Sequence, residues 1–271
     1  MILIVGKNEM LANAVAAKFR DMHYDGEVQV RNNTRLLDFL ASHHEAVEML
    51  FFVDKRHHPD SEGAARLEHL QQLWSAAAKH SIPLFLLFFN FRSDYVVDSQ
   101  LETLITWTGK QFRKPPMHYL FRIGELYGLG DRESRVDDFY CRIIRTGVAE
   151  IVRTVVDGET VECQLDYLYV KDLLRVLYWF VMHRPENGVY ELGCGFPRSD
   201  SAVAGAVFRT LGLPQQIRYV DNPNHINTSC LNVVTMDLSH LRRVGYKKPF
   251  YPVENGIKSY IHQAIRAGNG F

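Results

Sequence analysis

The segment MILIVGKNEMLANAVAAKFR, residues 1–20, decides how the first half of the chain is interpreted. It begins with an apolar run, reaches Gly6 and continues as an alanine-rich helical pattern. Further apolar runs follow, separated by helical patterns, at EVQVR, EMLFFV, PLFLLFF and MHYLFRIG. Strands that alternate with helices form a parallel sheet with helices on both faces. Residues 1–127 are therefore predicted to form a shortened, doubly wound α/β half.

The regular alternation of predicted strands and helices ends after residue 127. The pattern there predicts a helix, a hairpin-like pair of strands and two further helices, at VDDFYCRIIRTG, IVRTVVDGETVECQ, YVKDLLRVLYWFVMHR and SDSAVAGAVFRTLG. No low-complexity linker separates the two parts. Residues 128–271 are therefore predicted to form a smaller C-terminal α/β half, and the chain can cross back between the halves.

Composition excludes several classes of protein. The 271 residues are 46% hydrophobic and 23% charged, which is typical of a globular chain with a substantial core. Lysine plus arginine equals aspartate plus glutamate, at 31 each, so no net charge attracts nucleic acid or an anionic membrane. The apolar runs are too short to span a bilayer, and the N-terminus lacks a signal-peptide pattern. We expect a cytoplasmic protein with no nucleic-acid or membrane partner.

The cysteines and histidines do not predict a metal site. Four cysteines are scattered without a CxxC pair, which indicates free thiols rather than disulfides or a zinc site. The adjacent histidines His43-His44 and His57-His58 point apart on a helix or a strand, and no carboxylate shares a helical face with them at ligand spacing.

Four segments within residues 119–262 resemble one protein family, in the family's own order. They are FRIGELYGLGD, LDYLYVKDLLRVLYWFV, NGVYELGCG and MDLSHLRRVGYKKPFYPVENGIKSYI. They are similar to the C-terminal half of extended short-chain dehydrogenase/reductases that act on nucleotide sugars, and most of all to the ADP-heptose 6-epimerase type. The resemblance implies a Rossmann-like nucleotide-binding half followed by a smaller substrate domain.

The resemblance implies a dinucleotide-binding turn with three glycines after the first strand. The matching positions here are Gly6, Glu9 and Ala12. Ala12 is small enough for close packing, but Glu9 adds bulk and negative charge where two phosphates would lie, and Lys7 offsets only part of that charge. No cofactor is therefore expected. If NAD or NADP does bind, Gly6 and Lys7 are the contacts, and Arg31 suits the 2′-phosphate of NADP.

The resemblance also implies a catalytic serine and a tyrosine whose pKa is lowered by a lysine four residues later. Tyr95 is followed at that spacing by Ser99, and the alternative register places Val96 and Gln100 at the two positions. Tyr95 and Ser93 remain the candidate catalytic residues. Without the lysine, the Tyr95 phenol keeps a pKa near ~10 and is a weak base at neutral pH.

A third implied set is the substrate pocket. The family motif FRxxNxYGP matches at Arg122 and Tyr127, but Glu125 replaces an asparagine that usually contacts substrate. A glutamate there opposes an anionic sugar nucleotide unless Arg132 or Arg135 pairs with it. The second motif, LDYLYVKD, has a leucine where the family often has an arginine. The substrate-pocket candidates are Arg122, Glu125, Tyr127, Asp166 and Tyr169, and most residues of the second motif are expected to be structural.

Three functions stay open from the sequence. The leading hypothesis is a diverged relative of nucleotide-sugar epimerases that lacks NAD(P)-dependent catalysis and binds a nucleotide sugar or a protein partner. The first alternative is an active epimerase with unusual cofactor contacts. The second is a structural or assembly partner of an intact epimerase.

Self-association is also predicted. On the helix GAARLEHLQQLWSAAAKH an apolar stripe is broader than one sheet face requires. Its members are Leu67, Leu70, Leu73, Trp74 and Ala77. Pairing with a second copy would bury this stripe, so a homodimer is expected, with a related epimerase as the alternative mate.

The missing lysine leads to the first testable prediction. Replacing Tyr95 by Phe is expected to leave any measurable epimerase activity nearly unchanged, because the phenol has no lysine to activate it. Steady-state kinetics of wild type and Tyr95→Phe test this. A loss of about 10²-fold or more, which is typical of general acid/base residues, would instead identify Tyr95 as catalytic.

Overall fold

The structure is a computed structural model that describes residues 1–6, 9–22, 27–31, 35–53, 63–89, 95–128, 134–156, 159–221 and 233–266. Within these ranges the side chains of residues 9, 31, 63, 95–100, 154–156, 159, 160 and 221 are not described. Two of the predicted site residues, Lys7 and Ser93, lie outside the described residues, as do the side chains of Arg31 and Tyr95.

The chain packs as two compact units. Unit 1 comprises Met1–Arg122, Leu174–Glu191 and Arg243–Tyr246, and unit 2 comprises Ile123–Leu173, Leu192–Arg242 and Lys247–Phe271. The chain therefore crosses between the units more than once. The predicted division into functional halves, residues 1–127 and 128–271, stays a prediction.

Unit 1 contains a parallel sheet and its helices, numbered with the rest of the chain in sequence order. The strands are β1 (Ile2–Gly6), β2 (Val28–Arg31), β3 (Met49–Val53), β4 (Leu84–Phe89), β5 (His118–Ile123) and β11 (Gly188–Leu192). The helices are α1 (Glu9–Asp21), α2 (Leu36–His43), α3 (Gly63–Lys79), α4 (Tyr95–Lys110) and α6 (Val170–His183), whose first turn belongs to unit 2. The strand order is β11-β5-β4-β3-β1-β2. The α/β class and the doubly wound parallel sheet predicted from the sequence are confirmed.

The central strands are buried on both faces because helices cover both sides of the sheet. Every residue of β1, β3 and β4 is buried, so these strands are continuous apolar runs rather than alternating ones. One face is mostly aliphatic, and α2, α3 and α4 pack on it. The other face is aromatic, and there the Phe51 and Phe85 rings stack with centroids 4.3 Å apart, while Phe180 of α6 packs edge-on against Tyr119.

The apolar stripe of α3 lies inside this core. Leu70, Leu73, Trp74 and Ala77 are buried within the single chain, and Trp74 is only 1% exposed. Leu67 is partly buried against the same cluster. The prediction that this stripe is an exposed pairing surface is wrong. The stripe is broad because α3 packs against α2 and α4 as well as against the sheet.

The described part of unit 2 forms three small sheets and four helices. The strands are β6 (Glu125–Tyr127), β7 (Ala149–Val156), β8 (Glu159–Val161), β9 (Gln164–Leu165), β10 (Tyr167–Tyr169), β12 (Arg198–Ser199) and β13 (Ile217–Asp221). The helices are α5 (Arg135–Thr146), α7 (Asp200–Leu211), α8 (Ser239–Arg243), which ends in unit 1, and α9 (Val253–Arg266). Strand β6 pairs in parallel with β10, β9 pairs antiparallel with β12, and β7 lies between β13 and β8. The predicted hairpin is confirmed, because β7 and β8 are antiparallel.

Local sequence sets the ends of the two helices that pack together in unit 2. Ser134 caps α5 by accepting a hydrogen bond from the Asp137 N–H, and Ser199 caps α7 in the same way. Both helices end at a glycine with positive φ, Gly147 at 73° and Gly212 at 68°. No helix in the described ranges combines the length and the apolarity needed to cross a membrane.

Gly6 ends β1 at a point where the neighbouring strand lies very close. Gly6 pairs in register with Val53 of β3. A Cβ on residue 6 would overlap the Val53 carbonyl oxygen and would lie 2.7 Å from the Val53 Cβ. The sheet itself therefore requires glycine at this position, whether or not a ligand binds to the turn that follows.

The Gly6→Ala variant is expected to lose about 2 kcal/mol or more of unfolding free energy, because the added methyl group overpacks the strand pair. Urea unfolding of the full chain measures this. Gly109→Ala is the matched control: a Cβ on Gly109 in α4 meets nothing within 4 Å, so this variant is expected to keep or gain stability, by up to about 1 kcal/mol. Equal stabilities for the two variants would contradict a structural requirement at Gly6.

Candidate functional site

The C-terminal edge of the parallel sheet is the first candidate location, because open α/β sheets bind ligands there. Val5 of β1 pairs in register with Arg31 of β2, so Gly6 and the Arg31 backbone lie at the same edge. Space at Gly6 is taken up by Val53, and Ala12, at the third glycine position, is fully buried in α1. Gly6 thus has a packing role of its own, while residues 7 and 8, which join β1 to α1, lie outside the described residues.

Arg122 is neutralised by carboxylates of its own unit. Its Nη1 donates to Glu191 Oε1 of β11 at 3.0 Å, and its Nη2 donates to Glu102 Oε1 of α4 at 2.7 Å. These two ion pairs connect β5 to the neighbouring strand β11 and to α4. An anionic substrate at Arg122 would have to compete with both carboxylates.

Glu125 is a buried structural carboxylate. It is 4% exposed, and its Oε1 accepts a hydrogen bond from the main-chain N–H of Arg135 at 3.0 Å. Arg135 is the first residue of α5, so the carboxylate lies where the helix has an unpaired N–H and a partial positive charge. The main-chain N–H of Glu125 donates to the Asp166 carbonyl oxygen at 2.8 Å.

Arg135 balances the charge around Glu125. Its guanidinium forms an ion pair with the buried Asp200, the first residue of α7. Burial lowers the pKa of Arg135, but the charges of Asp200 and Glu125 raise it by more, so the guanidinium stays protonated. Of the two arginines named from the sequence, Arg135 contacts Glu125 through its main-chain N–H. Arg132 lies outside the described residues.

Tyr127 and Tyr169 face each other across the β6–β10 pair. They are register partners, and their rings stack with centroids 5.3 Å apart. Both are at least 98% buried, since their exposures are 1% and 2%. Burial raises the pKa of both phenols above the usual value, so neither is poised to exchange a proton near neutral pH.

Two glycines make room for these rings. A Cβ on Gly128 would lie 2.6 Å from Cε2 of Tyr169, and a Cβ on Gly256 of α9 would overlap the Tyr127 hydroxyl oxygen. Gly128 also has a φ of 94°, which disfavours any other residue. The tyrosine and the glycine of the family motif, Tyr127 and Gly128, therefore each have a packing role, against Gly256 and Tyr169 respectively.

Asp166 lies among main-chain N–H groups. Its Oδ1 accepts from Cys194 N at 2.7 Å and from Gly195 N at 3.1 Å, and its Oδ2 accepts from Gly195 N and Met236 N, each at 3.0 Å. Gly193 has no side chain because a Cβ there would lie 2.6 Å from Asp166 Oδ2. We call Asp166 and these three N–H donors the amide nest.

The electrostatics of the amide nest suppress thiol chemistry. Burial raises the pKa of the Asp166 carboxyl, and the N–H donors of Met236, Cys194 and Gly195 offset part of that rise. Burial and the nearby Asp166 charge raise the pKa of the Cys194 thiol to about 12, so it is not a thiolate at neutral pH. The sequence analysis did not identify the nest, although the run Gly193-Cys194-Gly195 signals close backbone approach.

The histidines named from the sequence show no ligand arrangement. His43 stacks on Phe39, and the His44 ring lies 4.0 Å from that of His80. Among the residues that the structure describes, no group of three or more histidine, cysteine, aspartate or glutamate side chains could hold a metal ion. His57 and His58 lie outside the described residues.

Comparison with curated sequences finds relatives over part of the chain. No family model matches it. The ADP-L-glycero-D-manno-heptose-6-epimerase of Nitratidesulfovibrio vulgaris is 28% identical over 149 residues, which are 54% of this chain and 45% of that protein. The chain thus spans about half the length of the curated relatives it matches.

Comparison with solved structures covers nearly the whole chain. The ADP-L-glycero-D-manno-heptose-6-epimerase of Helicobacter pylori has a TM-score of 0.73 at 13% identity, over 97% of this chain and 95% of that one. The dTDP-glucose 4,6-dehydratase of Bacillus anthracis, solved in complex with NAD, has a TM-score of 0.78 at 12% identity, over 100% of this chain and 98% of that one. At such identities the likeness establishes the fold alone. The resemblance seen in the sequence is confirmed: the chain has the Rossmann-type fold of extended short-chain epimerases and dehydratases.

The amide nest leads to a stability prediction. Asp166→Asn is expected to lower the unfolding free energy by about 2–3 kcal/mol, because an amide NH₂ would face a buried N–H donor. Urea unfolding measures the change.

The matched control is Asp138→Asn on α5. Asp138 is 57% exposed and forms a 3.6 Å surface ion pair with Arg142, so this variant is expected to cost no more than about 1 kcal/mol. If Asp166→Asn were as stable as the control, the nest would not be a structural anchor.

Proposed function

We propose that the chain is a nucleotide-sugar epimerase/dehydratase-type scaffold that has lost NAD(P)-dependent catalysis and acts as a ligand-binding or accessory protein in sugar-nucleotide metabolism. The observation that carries the proposal is the placement of Glu125. A carboxylate stands where the family has a substrate-contacting asparagine, and it is already bound to the first N–H of α5. A negative charge at this position opposes a diphosphate.

The other functional positions support the same proposal. Arg122 is held by two carboxylates, and the tyrosines of the motif are packed in the interior. The helix α4 has no lysine four residues after Tyr95, since Ser99 stands there. These differences fall on the chemical positions of the family, while the residues that shape the fold are kept.

The second candidate is an active NAD(P)-dependent nucleotide-sugar epimerase. It is favoured by the likeness to a dehydratase solved with NAD, and by the position of Gly6 and Arg31 at one edge of the sheet. The third candidate, an assembly partner of an intact epimerase, needs a surface other than the α3 stripe, which is interior. A homodimer and a cytoplasmic location are also proposed.

The proposal predicts the outcome of a cofactor titration. Isothermal titration of the full chain with NAD and with NADP is expected to show no saturable binding at submillimolar concentration, because Glu9 and Ala12 replace two glycines of the turn. A Glu9→Gly variant serves as the comparison, since it removes the added charge and bulk. Tight uptake of either cofactor by the wild-type chain would contradict the proposal and favour the active enzyme.

A further inference from the structure

The loop between α4 and β5 presents an aromatic side chain to solvent. Phe112 is fully exposed, with a relative exposure of 106%. Three exposed cations lie within two residues of it along the chain, at Lys110, Arg113 and Lys114. The tip of this loop therefore combines an exposed apolar ring with a local excess of positive charge.

The base of this loop is held in place. The main-chain N–H of His118 donates to Asn187 Oδ1 at 2.8 Å, and the Asn187 amide donates back to the Pro116 carbonyl at 3.4 Å. The Lys114 ammonium donates to the carbonyl of Gly109 at 3.3 Å. The loop is therefore preorganised, which reduces the entropy lost when it docks on a surface.

Asn187 brings a second segment to the same edge of unit 1. This segment comprises the end of α6, with Met182, which is 60% exposed, and the turn after it, with the exposed Arg184. In residues 110–118 and 182–187 together, Glu186 is the single carboxylate against four lysines and arginines. We call this surface the basic edge. Its members are Lys110, Phe112, Arg113, Lys114, Met182 and Arg184.

We propose that the basic edge docks unit 1 on an anionic lipid bilayer. The cations would lie at the level of the lipid phosphates while Phe112 enters the boundary with the acyl chains. The net charge of the whole chain is zero, and this predicted no membrane contact. A net charge does not reveal the local excess of positive charge at the basic edge. The proposal concerns surface attachment only.

A lipid surface fits the basic edge better than an acidic protein segment does. A protein partner would need a pocket shaped for one protruding phenyl ring, whereas the interface of a bilayer accepts an aromatic ring in any orientation. The dipole of α4 accounts for a cation at Lys110, its last residue, but not for Phe112 or for the two cations beyond the helix.

The test is sedimentation of the full chain with vesicles of phosphatidylcholine, with and without phosphatidylglycerol, at low and high salt. Binding is expected only to the anionic vesicles, with release at high salt. Arg113→Gln with Lys114→Gln is expected to weaken binding about 25-fold, or about fivefold for each cation. Phe112→Ala is expected to weaken it about tenfold.

Lys258→Gln and Ile265→Ala are the matched controls, because they remove an exposed cation and an exposed apolar side chain from α9. Both are expected to bind like wild type. Circular dichroism of every variant establishes that folding is unchanged. The proposal is overturned by equal binding to neutral and anionic vesicles, by no binding to either, or by full binding of the Phe112→Ala variant. Retention on immobilised polyglutamate without vesicle binding would also overturn it, in favour of an acidic protein partner.

Discussion

The arrangement of unit 2 depends on the amide nest, in which the Asp166 carboxylate accepts hydrogen bonds from three main-chain N–H groups. Cys194, Gly195 and Met236 come from segments that are distant in sequence, so one side chain fixes how β10 meets the two loops. A buried carboxylate is costly unless it is fully hydrogen-bonded, and here each oxygen has two N–H neighbours. The glycines at 193 and 195 follow from this constraint: the first leaves room for the carboxylate, and the second has a φ of 81°.

The same kind of packing constraint links other motif residues of unit 2. Tyr127 requires Gly256, and Tyr169 requires Gly128, so each motif residue fixes the identity of another. Such pairs can be kept for packing alone. Glu125 has a different effect, because it fills a position used for substrate in the family with a group that stabilises the start of α5. The residues that preserve the fold are therefore different from the residue at the position that contacts substrate in the family.

Much of the fold could be predicted from the sequence, because buried parallel strands and amphipathic helices have distinct periods. The runs at β1, β3 and β4 and the hairpin of β7 and β8 were all visible in this way. The role of the α3 stripe could not be predicted, because periodicity shows that a helix face is apolar but not which surface covers it. Trp74 packs inside its own unit because α3 has neighbouring helices as well as the sheet.

The amide nest could not be predicted either, because main-chain donors leave no side-chain signature beyond two glycines. The sequence named Arg135 as one of two arginines that could pair with Glu125. Its guanidinium pairs with Asp200 instead, through a contact that is distant in sequence, and only its main-chain N–H binds Glu125.

We infer that the motif residues of unit 2 are held in place by contacts within the protein itself rather than by a ligand. The most direct test is native-state amide hydrogen exchange at Arg135, Cys194, Gly195 and Met236, with and without ADP and UDP. We expect strong protection of these amides in the free protein, with exchange only through large-scale opening, and no change when nucleotide is added. Rapid exchange in the free protein, slowed by nucleotide, would contradict it and would show that these groups form a site that awaits its ligand.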